Sequence, residues 1–91
     1  MDTKSWNQLK VELQQRGFSV QTKGRSRREY IAQKDNTMVD IFRGGLTGTG
    51  TKLLMYIYND EAGNIEFEKE DSFSKNLLDA LDAYLEELTF A

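Results

Sequence analysis

The sequence predicts an α+β fold: an N-terminal helix, a single antiparallel sheet of four to five strands, and a C-terminal helix, in the order α-β-β-β-β-β-α. Three observations lead there. Apolar residues recur at helical spacing only near the two ends of the chain. Between them lie short runs that alternate apolar with polar and are separated by turn residues. One stretch, Leu53-Leu54-Met55-Tyr56-Ile57-Tyr58, has large apolar side chains on both faces of an extended strand, which suits a place inside a sheet. The chain of 91 residues is expected to form one domain, 1–91, because a second core would not fit into a length at which domains are single.

The first helix is expected over roughly Thr3 to Arg16, where Trp6, Leu9 and Leu13 mark a buried stripe with Val11 at its margin. Ser5-Trp6-Asn7-Gln8 has the form of a capping box, with Asp2 or Thr3 as alternative caps. Gly17 can adopt the left-handed conformation that closes a helix, and Phe18 can then fold back onto the last apolar turn. A strand follows with Phe18 and Val20 on one face and Ser19 and Gln21 on the other. Lys23-Gly24-Arg25-Ser26 is a turn, Glu29 to Lys34 the returning strand with Tyr30 and Ala32 on one face and Ile31 on the other, and Asp35-Asn36 a tight turn. Thr37 to Arg43 alternates Val39 and Ile41 against Met38, Asp40 and Phe42, completing a three-stranded meander.

Residues 44 to 51 hold four of the seven glycines and are expected to form a loop. The apolar strand comes next, then a hairpin turn over 59–64, then a strand from Ile65 to Glu70. Strict alternation there puts Ile65 and Phe67 inward and Glu66 and Glu68 outward, and charge on such an edge strand discourages pairing with other chains. The last helix, Ser74 to about Thr89, aligns Leu77, Leu81, Tyr84 and Leu88, and Leu78 and Leu85 widen the stripe. Asp79, Asp82 and Glu86 fall on its far side. Asp71, Ser72 or Ser74 is expected to cap it, with Phe73 as a hydrophobic staple.

Composition removes whole classes of chemistry. There is no cysteine and no histidine, so thiolate metal sites, disulfides and Ser-His or Cys-His catalysis are excluded, and zinc chemistry with them. Carboxylates alone could assemble a magnesium site from Asp40, Glu66 and Glu68 with Lys52 or Lys69. The spacing argues against it, because adjacent Glu68 and Lys69 fall on opposite faces of a strand. No catalytic residues, no metal and no cofactor are therefore expected. The start of the chain lacks a basic stretch followed by an apolar core, and the expected location is cytoplasmic, away from any membrane.

Charge is segregated. Through Arg43 nine Lys and Arg face five acids, a net +4; from Gly44 onward three face ten, a net −7. Such asymmetry points to a charged partner or to two halves that complement each other. The first candidate surface is acidic. Glu66, Glu68 and Glu70 share one strand face at about 6.6 to 6.8 Å, twice the strand rise. Asp71 and the helix row Asp79, Asp82, Glu86 and Glu87 extend the charge toward a basic protein partner. Tyr56 and Tyr58 join this candidate: with one layer of helices, one face of the apolar strand stays uncovered and forms a binding or self-association surface.

The second candidate is the basic hairpin Lys23, Arg25, Arg27 and Arg28, where cations would grip phosphates and Tyr30 would stack on a base. A helix followed by three strands resembles the start of double-stranded-RNA-binding domains and of some small RNA-targeting toxins. The resemblance covers about half the chain; it ends where those domains place a second helix after the third strand, and those toxins carry a histidine that this chain lacks. The glycine loop invites a phosphate-loop reading, but it lacks the Lys-Ser or Lys-Thr and the helix that a P-loop requires.

The functional expectation is a non-catalytic interaction module, a small protein-binding regulator or inhibitor. RNA binding through the hairpin at 23–28 is the alternative. A protein partner ranks ahead of nucleic acid because the chain is acidic overall, and a homodimer is a third arrangement.

Overall fold

The computed structural model describes residues 3–24, 28–44, 52–59 and 63–90. It contains α1 (Thr3–Gln15), β1 (Ser19–Lys23), β2 (Glu29–Lys34), β3 (Thr37–Arg43), β4 (Leu53–Asn59), β5 (Ile65–Asp71) and α2 (Ser74–Phe90), the expected α-β-β-β-β-β-α order. The sheet order is β1-β2-β3-β4-β5 and every pair is antiparallel. Each strand thus lies beside its neighbour in sequence, β4 is interior, and β1 and β5 are the edges. The third strand continues into β4 through pairing, not into a helix, so the likeness to double-stranded-RNA-binding domains stops at the meander. The glycine loop at 45–51 and the hairpin tips at 25–27 and 60–62 lie outside the described residues.

Helix α1 is already running at Thr3, so Ser5-Trp6-Asn7-Gln8 sits inside it and does not form the expected capping box. Its other end closes as the sequence indicates. Gly17 has φ +91°, the Phe18 amide donates to the Leu13 carbonyl at 3.2 Å, and the Gly17 amide donates to Gln14 at 3.0 Å. These are the two bonds of a Schellman cap, which lets Phe18 pack on the last apolar turn. At the β2–β3 turn, Lys34 pairs with Thr37, leaving Asp35 and Asn36 as a two-residue loop with Asp35 at φ +53°.

Register decides the two faces of the sheet. Tyr30, Ile41 and Met55 lie across from one another, as do Ala32, Val39 and Ile57. All are buried, and they form one core with Trp6, Leu9 and Leu13 of α1 and Leu77, Leu78 and Leu81 of α2. Both helices therefore stand on the same side of the sheet. Each large side chain fully covered there contributes roughly 1.5 to 3 kcal/mol. Helix α1 is further tied to β2 by the stacked rings of Trp6 and Tyr30, 3.9 Å between centroids.

Three apolar residues depart from expectation. Ile65, assigned inward by alternation, is 58% exposed. The register slips between Ile57 and Tyr58, so that Phe67 pairs with Ile57 but Ile65 pairs with Tyr58. The extra residue turns Ile65 to the other face, as a β-bulge does. Phe73 does not staple the helix; it is 68% exposed, and Asp71 organises the entry instead. Its carboxylate accepts the Phe73 amide at 2.8 Å and the Asn76 side-chain amide at 3.0 Å. Leu88, last in the α2 line, is 48% exposed.

Candidate functional site

Because both helices cover one side, the side chains that point the other way form an open face. Cross-strand register builds it in rows. One row reads Lys23, Glu29, Phe42, Leu54, Glu70; the next reads Gln21, Ile31, Asp40, Tyr56, Glu68; the third holds Gln33, Met38, Tyr58 and Ile65. The centre is aromatic and apolar. Phe42 and Tyr56 meet edge to face at 6.1 Å between centroids, a favourable arrangement for two quadrupoles. Phe42, Tyr56 and Tyr58 are half-buried, and Leu54 between Phe42 and Glu70 is closed off.

The rim is acidic. Glu66, Glu68 and Glu70 are exposed along β5, with Lys52 placing its ammonium 3.5 Å from Glu70. Inside the face, Asp40 accepts the Tyr58 hydroxyl at 3.2 Å. Burial pushes the Asp40 carboxyl above its usual value, and the bond from Tyr58 pulls partly the other way. Glu29 is raised as well, first by burial and then by the negative charge of Asp40. Two carboxylates on a partly apolar surface hold their protons more tightly than in water.

This has a measurable consequence. A carboxyl whose value is raised in the folded state stabilises the fold fully below its unfolded value, and that contribution is lost as pH rises through the folded value. Asp71 behaves oppositely, since its accepted hydrogen bonds lower it and its contribution disappears on acidification. Asp40→Asn removes the charge and keeps an oxygen for Tyr58. We expect this variant to gain a few degrees in unfolding midpoint at pH 7, and the gain to vanish as pH falls below about 4, near the unperturbed carboxylate value. Thermal unfolding followed by circular dichroism across pH checks it; a gain that persists at pH 3 contradicts the assignment to charge.

The acids grouped by sequence do not form one surface. Glu68 and Glu70 belong to the open face and Glu66 is the unpaired residue of the bulge, its charge felt by Tyr84 of α2, whereas Asp79, Asp82 and Glu86 lie on α2, beyond the sheet on its other side. Asp82 is engaged by Arg16 through two bonds, Nε to Oδ1 at 2.7 Å and Nη2 to Oδ2 at 2.9 Å. Asp79 pairs with Lys75 at 2.9 Å, and Asp71 is occupied in capping. The Arg16–Asp82 pair joins the basic and acidic halves.

The basic hairpin fares differently. Tyr30 is 2% exposed, stacked on Trp6 and donating its hydroxyl to the Trp6 carbonyl at 2.9 Å; its ring is not open to a base. Arg28 directs its guanidinium to the Arg43 carbonyl at 3.3 Å, Lys23 sits on the open face across from Glu29, and Arg25 and Arg27 lie outside the described residues. Among the described residues no group of three or more acids converges to hold a metal ion, and no helix is long and apolar enough to cross a membrane.

Ile31, Met38 and Glu29 are members of the open face that sequence reasoning left out. The two-residue turn at Asp35-Asn36 carried a signal for them, since it sets Ile31 opposite Asp40 and Glu29 opposite Phe42. Comparisons with protein-family models, with curated proteins and with solved structures find no match for this chain.

Proposed function

We propose that this chain is a non-catalytic interaction module, a small protein-binding regulator or inhibitor that takes its partner on the open face of the sheet. One observation carries the reading: both helices stand on one side of a five-stranded sheet, which leaves an aromatic centre of Phe42, Tyr56 and Tyr58 uncovered beside Glu68 and Glu70. Aromatic residues at the centre of a patch with a polar rim are the anatomy of a protein interface. Four strand spacings of about 4.8 Å by two residue pairs of about 6.8 Å, plus side-chain margins, make a footprint on the order of 400 Å². That is about half of a standard partner surface, so the complex is a weak or transient one, or the partner also uses the rim and the sheet edge. The expected setting is cytoplasmic, in keeping with a chain free of cysteine.

The test uses peptides selected by display against the whole chain. Binders are expected to be cationic, to shift the NMR signals of Tyr56 and Tyr58, and to lose tenfold or more in affinity on the combined change Glu66→Lys, Glu68→Lys and Glu70→Lys. The three side chains are exposed, so the circular dichroism spectrum should be unaltered. Binders indifferent to both the triple change and Tyr56→Ser would remove the open face from consideration. Binding of labelled RNA or DNA at low salt that survives the triple change would move the function to the basic hairpin.

A further inference from the structure

The edge of the sheet at β5 combines three properties that the other edge lacks. Glu68 and Glu70 project toward the open side, in phase at about 6.8 Å along the strand. On its helix side, Phe67 is half-buried against Tyr84 of α2, 6.1 Å between ring centroids. Exposed apolar side chains, Ile65 and Phe73, stand at its two ends. No strand pairs with its outer side among the described residues. β1, at the opposite edge, shows exposed Ser19 and Gln21 and a single cation, Lys23.

Charge selects what can pair there. A second copy offering its own β5 would set glutamates against glutamates, and like charges directly opposite each other destabilise a sheet. A second copy offering β1 would bring one lysine to Glu68 and Glu70. A cationic strand meets neither obstacle. From this we infer that β5 accepts an extended segment of a partner protein as a sixth strand, with Lys or Arg at alternate positions facing Glu68 and Glu70 and apolar residues between them facing Phe67 and Tyr84. This rests on the protein-binding reading above and adds to it the partner's conformation and its two-residue pattern.

Synthetic peptides test the pattern against the intact chain. An eight-residue peptide alternating Arg and Val is compared by fluorescence polarisation with a permuted peptide whose four Arg are contiguous, and with two N-methylated versions, one carrying methyl groups on odd and one on even residues. Only alternate amides of an added strand face the edge. The expected result is at least tenfold tighter binding of the alternating peptide than of the permuted one, loss of binding for one N-methylated phase and retention for the other, and slower hydrogen exchange at β5 amides. Glu68→Lys with Glu70→Lys should reduce binding of the alternating peptide tenfold or more.

Equal binding of all four peptides overturns edge addition and leaves the open face as the docking surface. If none of them binds while display-selected peptides still engage Tyr56, the cationic strand is likewise overturned and the wider reading stands. If the selected peptides fail as well, that reading goes too. Dimerisation seen by light scattering, and abolished by blocking the β5 edge, would give the edge to a second copy and refute the proposal.

Discussion

Trp6→Ala is expected to remove about 3 to 5 kcal/mol of stability, the cost of truncating a large aromatic in a closed core. At about 0.05 to 0.15 kcal/mol per residue, a chain of this length has roughly 5 to 14 kcal/mol in total, so this one change removes a large share of it. The reason is local. Trp6 and Tyr30 stack at 3.9 Å with their planes only 3° apart, and this pair is the seam between α1 and β2. Deleting the indole opens a cavity against Tyr30. Tyr30→Phe keeps the stack and loses only the hydroxyl bond to the Trp6 carbonyl, which costs about 0.5 to 1.5 kcal/mol. Urea titration followed by circular dichroism separates the two. A loss below about 1 kcal/mol in Trp6→Ala would show that the stack does not hold the helix.

Leu81→Ala is expected to cost about 2.7 to 5 kcal/mol, whereas Leu88→Ala, two turns later on the same line of α2, should fall within about 0.5 kcal/mol of the parent. Leu81 is fully enclosed between the helix and the sheet; Leu88 lies at the rim of a groove with Lys34, Asp35 and Thr37. Equal losses at both positions would mean that the helix end is packed as tightly as its middle. The comparison also isolates a limit of periodicity, since the helical repeat is the same at both positions and only the extent of the sheet beneath them differs.

That limit recurs through the molecule. The bounds of β2 and β3 follow from alternation and from the turn at Asp35-Asn36, and the end of α1 follows from Gly17 and Phe18. These are local preferences, set by dihedral angles and by hydrogen bonds within a few residues. Ile65 escaped because a one-residue bulge reverses the face without leaving a trace in an alternating sequence. Phe73 escaped because Asp71 could organise the start of α2 without it. The acidic site was legible only in part. Glu68 and Glu70 share a face as alternation requires, but the bulge takes Glu66 out of that register, and Asp82 was grouped with them and is instead bound to Arg16, 66 residues away.

Length, the absence of cysteine and histidine, and two periods, one of 3.6 and one of 2, were enough to determine the element order, the antiparallel meander and, Leu88 apart, the inward stripes of both helices. Those properties depend on each residue's own torsions and hydrophobicity, which the chain carries wherever it folds. The tertiary structure alone decided that both helices choose the same side of the sheet, that Tyr30 belongs to the core while Tyr56 and Tyr58 remain half-open, and that Glu68 and Glu70 stand apart from the acids of α2. Such choices are made by the competition between whole faces for burial, where the better-filled side takes both helices and the other is left to water or to a partner.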